Sequence, residues 1–223
     1  PRDWSSDVCS SDLARIFINP WGTFVADVDK LEGWLYPESP LMDVRVRKAL
    51  QKAVNVDELN KVFFGGTGKT MYNPMINEER QGWNADWVKT YKDEYGYDVE
   101  AAKKLLADAG YSASKPLETN LHIIELGQYP GMPDMIESIG NYWRNVGVKV
   151  NLVNMDSTQR AALSRQVKFS NDWLIDQTST AQYTGTFSRF ISQKRNPPRG
   201  GKSPELDRLF FQVQRELDPA KQD

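Results

Sequence analysis

An α/β fold, with a mixed sheet flanked by helices, is what this sequence predicts, and three observations carry it. Residues 121–126 (LHIIEL) form an apolar β run, and Pro133 opens a helix with Ile136, Ile139 and Trp143 on one side. Beyond Gly147, Val148, Val150 and Leu152 alternate along a second strand. Strand, helix, strand at these lengths make a βαβ unit, whose strands run parallel with a right-handed crossover. The second observation is a succession of capped helices ahead of this unit, and the third is an ordinary globular composition. Of 223 residues, 39% are hydrophobic and 26% charged, and no stretch approaches the roughly 18 apolar residues of a membrane-spanning helix.

The elements follow in order. Residues 15–19 (RIFIN) read as a short strand ended by Pro20-Trp21-Gly22. Asp43 precedes a helix over 44–54, where Val46, Ala49, Leu50 and Ala53 recur at helical spacing. An Asn55-x-x-Glu58 capping box starts a second helix that buries Leu59, Val62 and Phe63 and stops at Gly65-Gly66. Residues 67–97 read as a long connection without period, a surface excursion. Asp98 caps a helix with Ala102, Leu105, Leu106 and Ala109 on one face, closed by Gly110. After the βαβ unit, Asp156-x-x-Gln159 starts another helix, and residues 172–176 (DWLID) form a further strand. A polar loop over 177–188 leads toward Ser203-Pro204 and a last helix with Leu206, Leu209, Phe210, Val213 and Leu217 facing inward. Asp218-Pro219 is a cap and first-turn pair, so the sequence is expected to be a piece of a longer chain.

Residues 1–13 (PRDWSSDVCSSDL) have no period and read as a non-native, adapter-like tail. The only cysteine, Cys9, lies there, so the rest has no thiol for a disulfide, metal site or nucleophile. Without the tail, basic and acidic residues balance at 27 each. Scattered, balanced charge gives no electrostatic footprint for nucleic acid.

Asp43-Val44-Arg45-Val46-Arg47-Lys48-Ala49-Leu50 with Ala53-Val54-Asn55 closely resembles the D-x-R-V-R-x-A-L signature of the extracellular solute-binding proteins of family 5, the dipeptide, oligopeptide and nickel-binding components of ABC importers, and further motifs resemble that family in order. Tyr97-Asp98 running into Ala101-Ala102-Lys103-Lys104-Leu105-Leu106-Ala107-Asp108-Ala109-Gly110-Tyr111 is similar to a second, with Val99 where the family usually has Pro. Trp143 with Val146-Gly147-Val148, then Ser203-Pro204-Glu205-Leu206-Asp207 and Leu217-Asp218-Pro219, resemble the later ones. Most of these residues are caps, core and helix ends rather than chemistry.

The resemblance implies a lobe of the type II periplasmic-binding-protein fold, incomplete at both ends and representing the C-terminal lobe. On that reading residues 14–30 hold a hinge-proximal strand and connection, and 31–223 the second α/β lobe. It implies capture of a small solute, a peptide or similar, by lobe closure, no enzyme activity and no cofactor. ABC permease subunits are the implied partners, and the place is the periplasm or the extracellular side, with a lipid anchor as one means of retention.

Candidate binding residues come from strand ends, where α/β sheets collect ligands. They are Gln128 and Tyr129 after the first βαβ strand, and Trp173, Asp176, Gln177, Thr178 and Tyr183 at and beyond the later strand. The second group offers neutral donors and acceptors with aromatic faces. Asp176 could pair with a ligand's amino group, as an acidic residue in a similar position does in peptide-binding relatives. The same loop reads equally as plain polar surface, and Trp173 equally as core. No Arg or Lys follows Leu126 before the next helix, so a peptide's carboxylate lacks a clamp there. That leaves oligosaccharide or opine-type solutes open, and 7 Trp and 9 Tyr suit sugar stacking too.

Three features suggest enzymes and read more plainly otherwise. Gly65-Gly66-Thr67-Gly68-Lys69-Thr70 invites a phosphate loop, but Phe63 stands where its first glycine is required, and a helix rather than a strand precedes it. His122, the sole histidine, sits in a strand without a motif and reads as a satisfied or exposed side chain. The acidic pairs Glu78-Glu79 and Asp93-Glu94 lie in polar connections.

Overall fold

The computed structural model describes residues 14–21, 36–72, 78, 82–124, 131–166, 172–179 and 204–216. In chain order these hold β1 (Ala14–Trp21), α1 (Val44–Lys52), α2 (Val56–Phe64), α3 (Asp86–Tyr95), α4 (Val99–Asp108), β2 (Glu118–Ile124), α5 (Met132–Asn145), β3 (Lys149–Met155), α6 (Ser157–Gln166), β4 (Asp172–Ser179) and α7 (Pro204–Arg215). The strands form one mixed sheet in the order β1-β4-β2-β3. β2 runs parallel to both β3 and β4, and β1 pairs antiparallel with β4. The expected βαβ unit is therefore present as β2–α5–β3.

α5 covers one face of that unit. Its buried stripe is Met132, Met135, Ile136, Ile139, Gly140 and Trp143, the spacing of one helical face. Gly140 is where the helix comes close to β3: a Cβ there would stand 3.3 Å from Leu152 Cδ2. Trp143 is almost wholly buried, and its indole Nε1 donates to Leu50 O at 2.9 Å. That carbonyl lies in the last turn of α1, where helical carbonyls lack intrahelical partners. The Trp143 ring meets Trp173 of β4 edge-on, with centroids 5.4 Å apart.

The motif around Asp43 has a structural account. Asp43 caps α1 by accepting from Arg45 N at 2.8 Å. The Arg45 guanidinium folds back on the same carboxylate (Nη2–Oδ2 2.6 Å) and donates from Nη1 to Asp108 O at the end of α4. Arg47 Nη1 donates to Leu41 O and Met42 O at 2.6 and 2.8 Å, fastening the 3-10 turn of Pro40–Met42. Asp98, the cap of α4, donates from its backbone N to Lys52 O, so α1 and α4 are joined at both ends. Asn55 caps α2 as expected, with Glu58 N donating to Asn55 Oδ1 at 3.1 Å, but the return bond of the capping box comes from the side chain, Asn55 Nδ2 donating to Glu58 Oε2 at 3.2 Å, rather than from the Asn55 backbone N–H. It ends at Gly65, whose φ of 59° is the left-handed conformation that glycine adopts without strain.

The structure corrects several expectations. α3 lies inside the stretch read as a connection over 67–97. No residue of it is fully buried, so it lacks the apolar period that reveals a core helix. It is held by rings and polar contacts instead: Trp87 packs on Trp83, Tyr91 on Tyr72, and Lys48 pairs with Glu94. β1 runs through Pro20 to Trp21 rather than stopping at Asn19. An edge strand tolerates proline, and β1 is the outer strand beside β4. β2 begins three residues earlier than read, at Glu118. Val62 is 66% exposed, and of the apolar stripe of α7 only Phe210 is buried, with Leu209 left 43% exposed. Leu217 lies outside the described residues.

Two outcomes follow for stability. Trp143→Ala should cost about 3–5 kcal/mol in urea unfolding, whereas Val62→Ala should stay within about 0.5 kcal/mol. Hydrogen bonding from Arg45 holds the Asp43 carboxyl below the usual carboxylate pKa. A group depressed in the folded state contributes stability above its unfolded pKa and loses it as pH falls through the folded value. Asp43→Asn should therefore be less stable than the parent at neutral pH, and the difference should shrink as pH falls below the ordinary carboxylate range. Unfolding curves across that window check the sign.

Candidate functional site

The C-terminal ends of β2, β3 and β4 share one edge, because the three strands are parallel and Ile124 stands opposite Met155 in the register. This is the edge at which open α/β sheets take ligands. The chain leaves β2 at Ile124, and the candidates Gln128 and Tyr129 follow, outside the described residues. Tyr183 also lies outside them.

The other candidates are in β4. Asp176, Gln177 and Thr178 stand opposite Phe17, Ile16 and Arg15 of β1. The loop expected from Gln177 is thus corrected to strand as far as Ser179. Pairing with β1 explains the extension, since β1 matches β4 along all eight of its residues, Asp172–Ser179. Among the described residues β2 pairs with β4 at three positions, the last being His122 opposite Leu174. From Ile175 to Ser179, then, β4 is paired along its β1 edge and has no strand partner on the other edge among the described residues.

Trp173 is 5% exposed and belongs to the hydrophobic core with Leu121, Ile139 and Trp143. The core alternative for it holds, and it offers no open surface to a solute. Its indole Nε1 is buried and has no hydrogen-bond partner among the described residues.

Opposite that apolar face, the sheet is polar. Asp172 Oδ1 takes Asn120 Nδ2 at 3.0 Å and His122 Nε2 at 2.7 Å, and Asn151 Nδ2 donates to Asn120 Oδ1 at 3.3 Å. The His122 and Asp172 side chains are 6% and 10% exposed. The Tyr36 hydroxyl is pushed above the usual phenol pKa, first by burial and then by the charges of Asp172 and Glu38. Sequence reasoning placed His122 in its strand but missed its partner, 50 residues away. The available signal was the alternation of Asn120 and His122 with Thr119, Leu121 and Ile123, which marks a polar face on β2.

The glycine-rich loop after α2 spends its amides internally. Gly66 N donates to Asn60 O, Thr67 N to Phe64 O, and Gly68 N to Asn60 Oδ1 at 2.9 Å, while Asn60 Nδ2 returns a bond to Gly68 O. A phosphate cradle needs such N–H groups pointing outward. The start of α6, at the sheet edge after β3, is closed in a similar way. Asp156 Oδ1 accepts from Thr158 N and Gln159 N, and Gln159 Oε1 accepts from Asp156 N. Among the described residues no group of three or more His, Cys, Asp and Glu could hold a metal, and no helix is long and apolar enough to cross a membrane. A cavity of about 430 Å³ lies against α7, lined by Arg208, Phe211, Gln212, Arg215 and Glu216. It contains none of the candidates and sits on one helix.

Comparison with known proteins matches residues 17–197 to the sequence profile of the bacterial extracellular solute-binding proteins, family 5 Middle. The periplasmic oligopeptide-binding protein OppA of Salmonella typhimurium is 30% identical over 178 residues, 78% of this chain and 31% of that protein. The dipeptide-binding protein of Escherichia coli is 33% identical over 119 residues, 53% of this chain and 21% of that protein. Among solved structures, the murein tripeptide binding protein MppA of Escherichia coli superposes with a TM-score of 0.67 at 18% identity, over 94% of this chain and 38% of that one. The chain thus spans about a third or less of the curated relatives it matches.

Because the loop amides are already bonded, adding ATP or inorganic phosphate should leave the melting temperature unchanged, and Lys69→Ala should leave it unchanged as well. A phosphate-dependent rise that Lys69→Ala removes would show the loop to be a ligand site.

Proposed function

We propose that this chain, which belongs to the bacterial extracellular solute-binding proteins of family 5, supplies part of a lobe that captures a peptide and hands it to an ABC permease. The observation that carries the reading is the half-paired end of β4. Beyond Leu174 its backbone is paired on one edge only among the described residues, and this stretch contains Asp176. A strand edge of this kind can accept an extended main chain as an added strand, with side-chain pockets left to set specificity. The Asp176 carboxylate, at this end, would bind a free amino terminus by a charge-assisted hydrogen bond. The relatives that share the family are binding proteins by name, and a role in capture without covalent chemistry follows theirs. The periplasm or the outer face of the membrane is the corresponding location.

Ligand binding to the folded state raises stability by mass action, about 2.7 kcal/mol at a hundredfold excess over Kd. A thermal-shift screen of a protein carrying this sequence in its full-length context, against peptides, oligosaccharides and opines, should show a rise for peptides. Asp176→Asn should weaken peptides with a free amino terminus about tenfold or more and leave N-acetylated ones nearly unaffected. Shifts given only by sugars or opines, or an Asp176→Asn effect equal for both peptide forms, would overturn the peptide reading.

A further inference from the structure

The sheet is joined unevenly. β1 and β4 match over eight residues and β2 and β3 over seven, but β2 and β4 match over three: Asn120 with Asp172, Leu121 with Trp173, and His122 with Leu174. It is in effect two ribbons, β1–β4 and β2–β3, meeting along a short parallel seam. Parallel pairing is also slightly less stable per residue than antiparallel. One face of the seam is closed by Trp173 against Trp143. The other is closed by one carboxylate oxygen, Asp172 Oδ1, which receives both Asn120 and His122. With Asn151 donating to Asn120, a single line of hydrogen bonds crosses β3, β2 and β4.

We infer that His122 and Asp172 are a positioning pair that locks the register of this seam and so sets where the Asp176–Ser179 end of β4 stands relative to the chain leaving β2. The carboxylate is an acceptor only, so the imidazole Nε2 must carry a proton in this contact. A slip of β4 by one residue would turn Asp172 toward the apolar side and Trp173 toward the polar one. A slip by two would keep the faces but take the carboxylate away from Asn120 and His122, leaving buried donors without their acceptor. Apolar packing alone tolerates small shifts, whereas a buried polar network is satisfied in only one arrangement. Tyr36 and Glu38 supply the neighbouring titratable groups before α1, and Glu118 pairs with Lys149 at the start of β2 and β3. The positional consequence rests on the solute-binding reading, but the lock itself does not.

The test uses this chain and no solute. His122 is the sole histidine, so the imidazole ¹⁵N spectrum of the wild-type protein reports one ring. The neutral ring should carry its proton on Nε2. Amide hydrogen exchange then reads the seam: in Asp172→Ala, amides at 120–122 and 172–174 should exchange on the order of tenfold faster or more. Amides in α1, α4 and the β2–β3 ladder beyond the seam should keep their protection. Asp172→Asn retains an acceptor oxygen and should lie between, and it serves if the alanine variant does not fold. A neutral ring protonated on Nδ1, unchanged seam exchange in both variants, or acceleration spread evenly over the whole chain would each overturn the inference. Failure of the peptide screen would leave these results untouched, so the two readings fall separately.

Discussion

One indole holds the two layers of this fold together. Trp143 gives its N–H to a carbonyl at the end of α1 and its ring edge to Trp173 in β4, so a single side chain of α5 contacts both a neighbouring helix and the sheet. Burying a large ring with its polar atom satisfied is favourable on both counts, area and hydrogen bonding. Around it the helix ends are tied to each other: Arg45 reaches the Asp108 carbonyl at the end of α4, and Asp98 donates to the end of α1. The family signature at Asp43, Arg45 and Arg47 is therefore a set of fasteners for helix termini. Its presence identifies the scaffold and carries no information about the solute.

The scaffold brings the C-terminal ends of its three parallel strands to one edge, where the proposed site lies. The helix start that also faces this edge, at α6, already has its amides bonded by Asp156 and Gln159. On the proposed reading, recognition falls to the end of β4 that is paired on one edge only among the described residues. Loops on a rigid scaffold can vary without cost to the core, which is consistent with one architecture serving dipeptide-binding, oligopeptide-binding and murein-tripeptide-binding proteins.

What the sequence disclosed follows from the range of each interaction. Caps act within three residues, so Asp43, Asn55, Asp98 and Asp156 were legible as helix starts, and Gly65 as a stop. The βαβ unit was legible because its apolar periods are long and uninterrupted. α3 was not, since it is fixed by Tyr72, Trp83 and Tyr91 at the surface rather than by a buried stripe; the four-residue spacing of Trp87, Tyr91 and Tyr95 was the signal available. The extension of β4 past Asp176 depends on β1, some 150 residues earlier in the chain, and local composition (Gln, Thr, Ser) pointed to a loop. The His122–Asp172 contact likewise forms only when β4 takes its place beside β2. Of the candidate site, Asp176 reads from sequence as a strand end but lies inside β4, which continues to Ser179, while Trp173 belongs to the core.

The central claim is that the edge of β4 around Asp176 that has no strand partner among the described residues receives the solute. A crystal structure of the full-length protein with a bound peptide tests it most directly. The account predicts the peptide main chain running beside β4 beyond Leu174, with its amino terminus at the Asp176 carboxylate. A peptide seated elsewhere, with this strand edge covered by the protein's own chain, would contradict it.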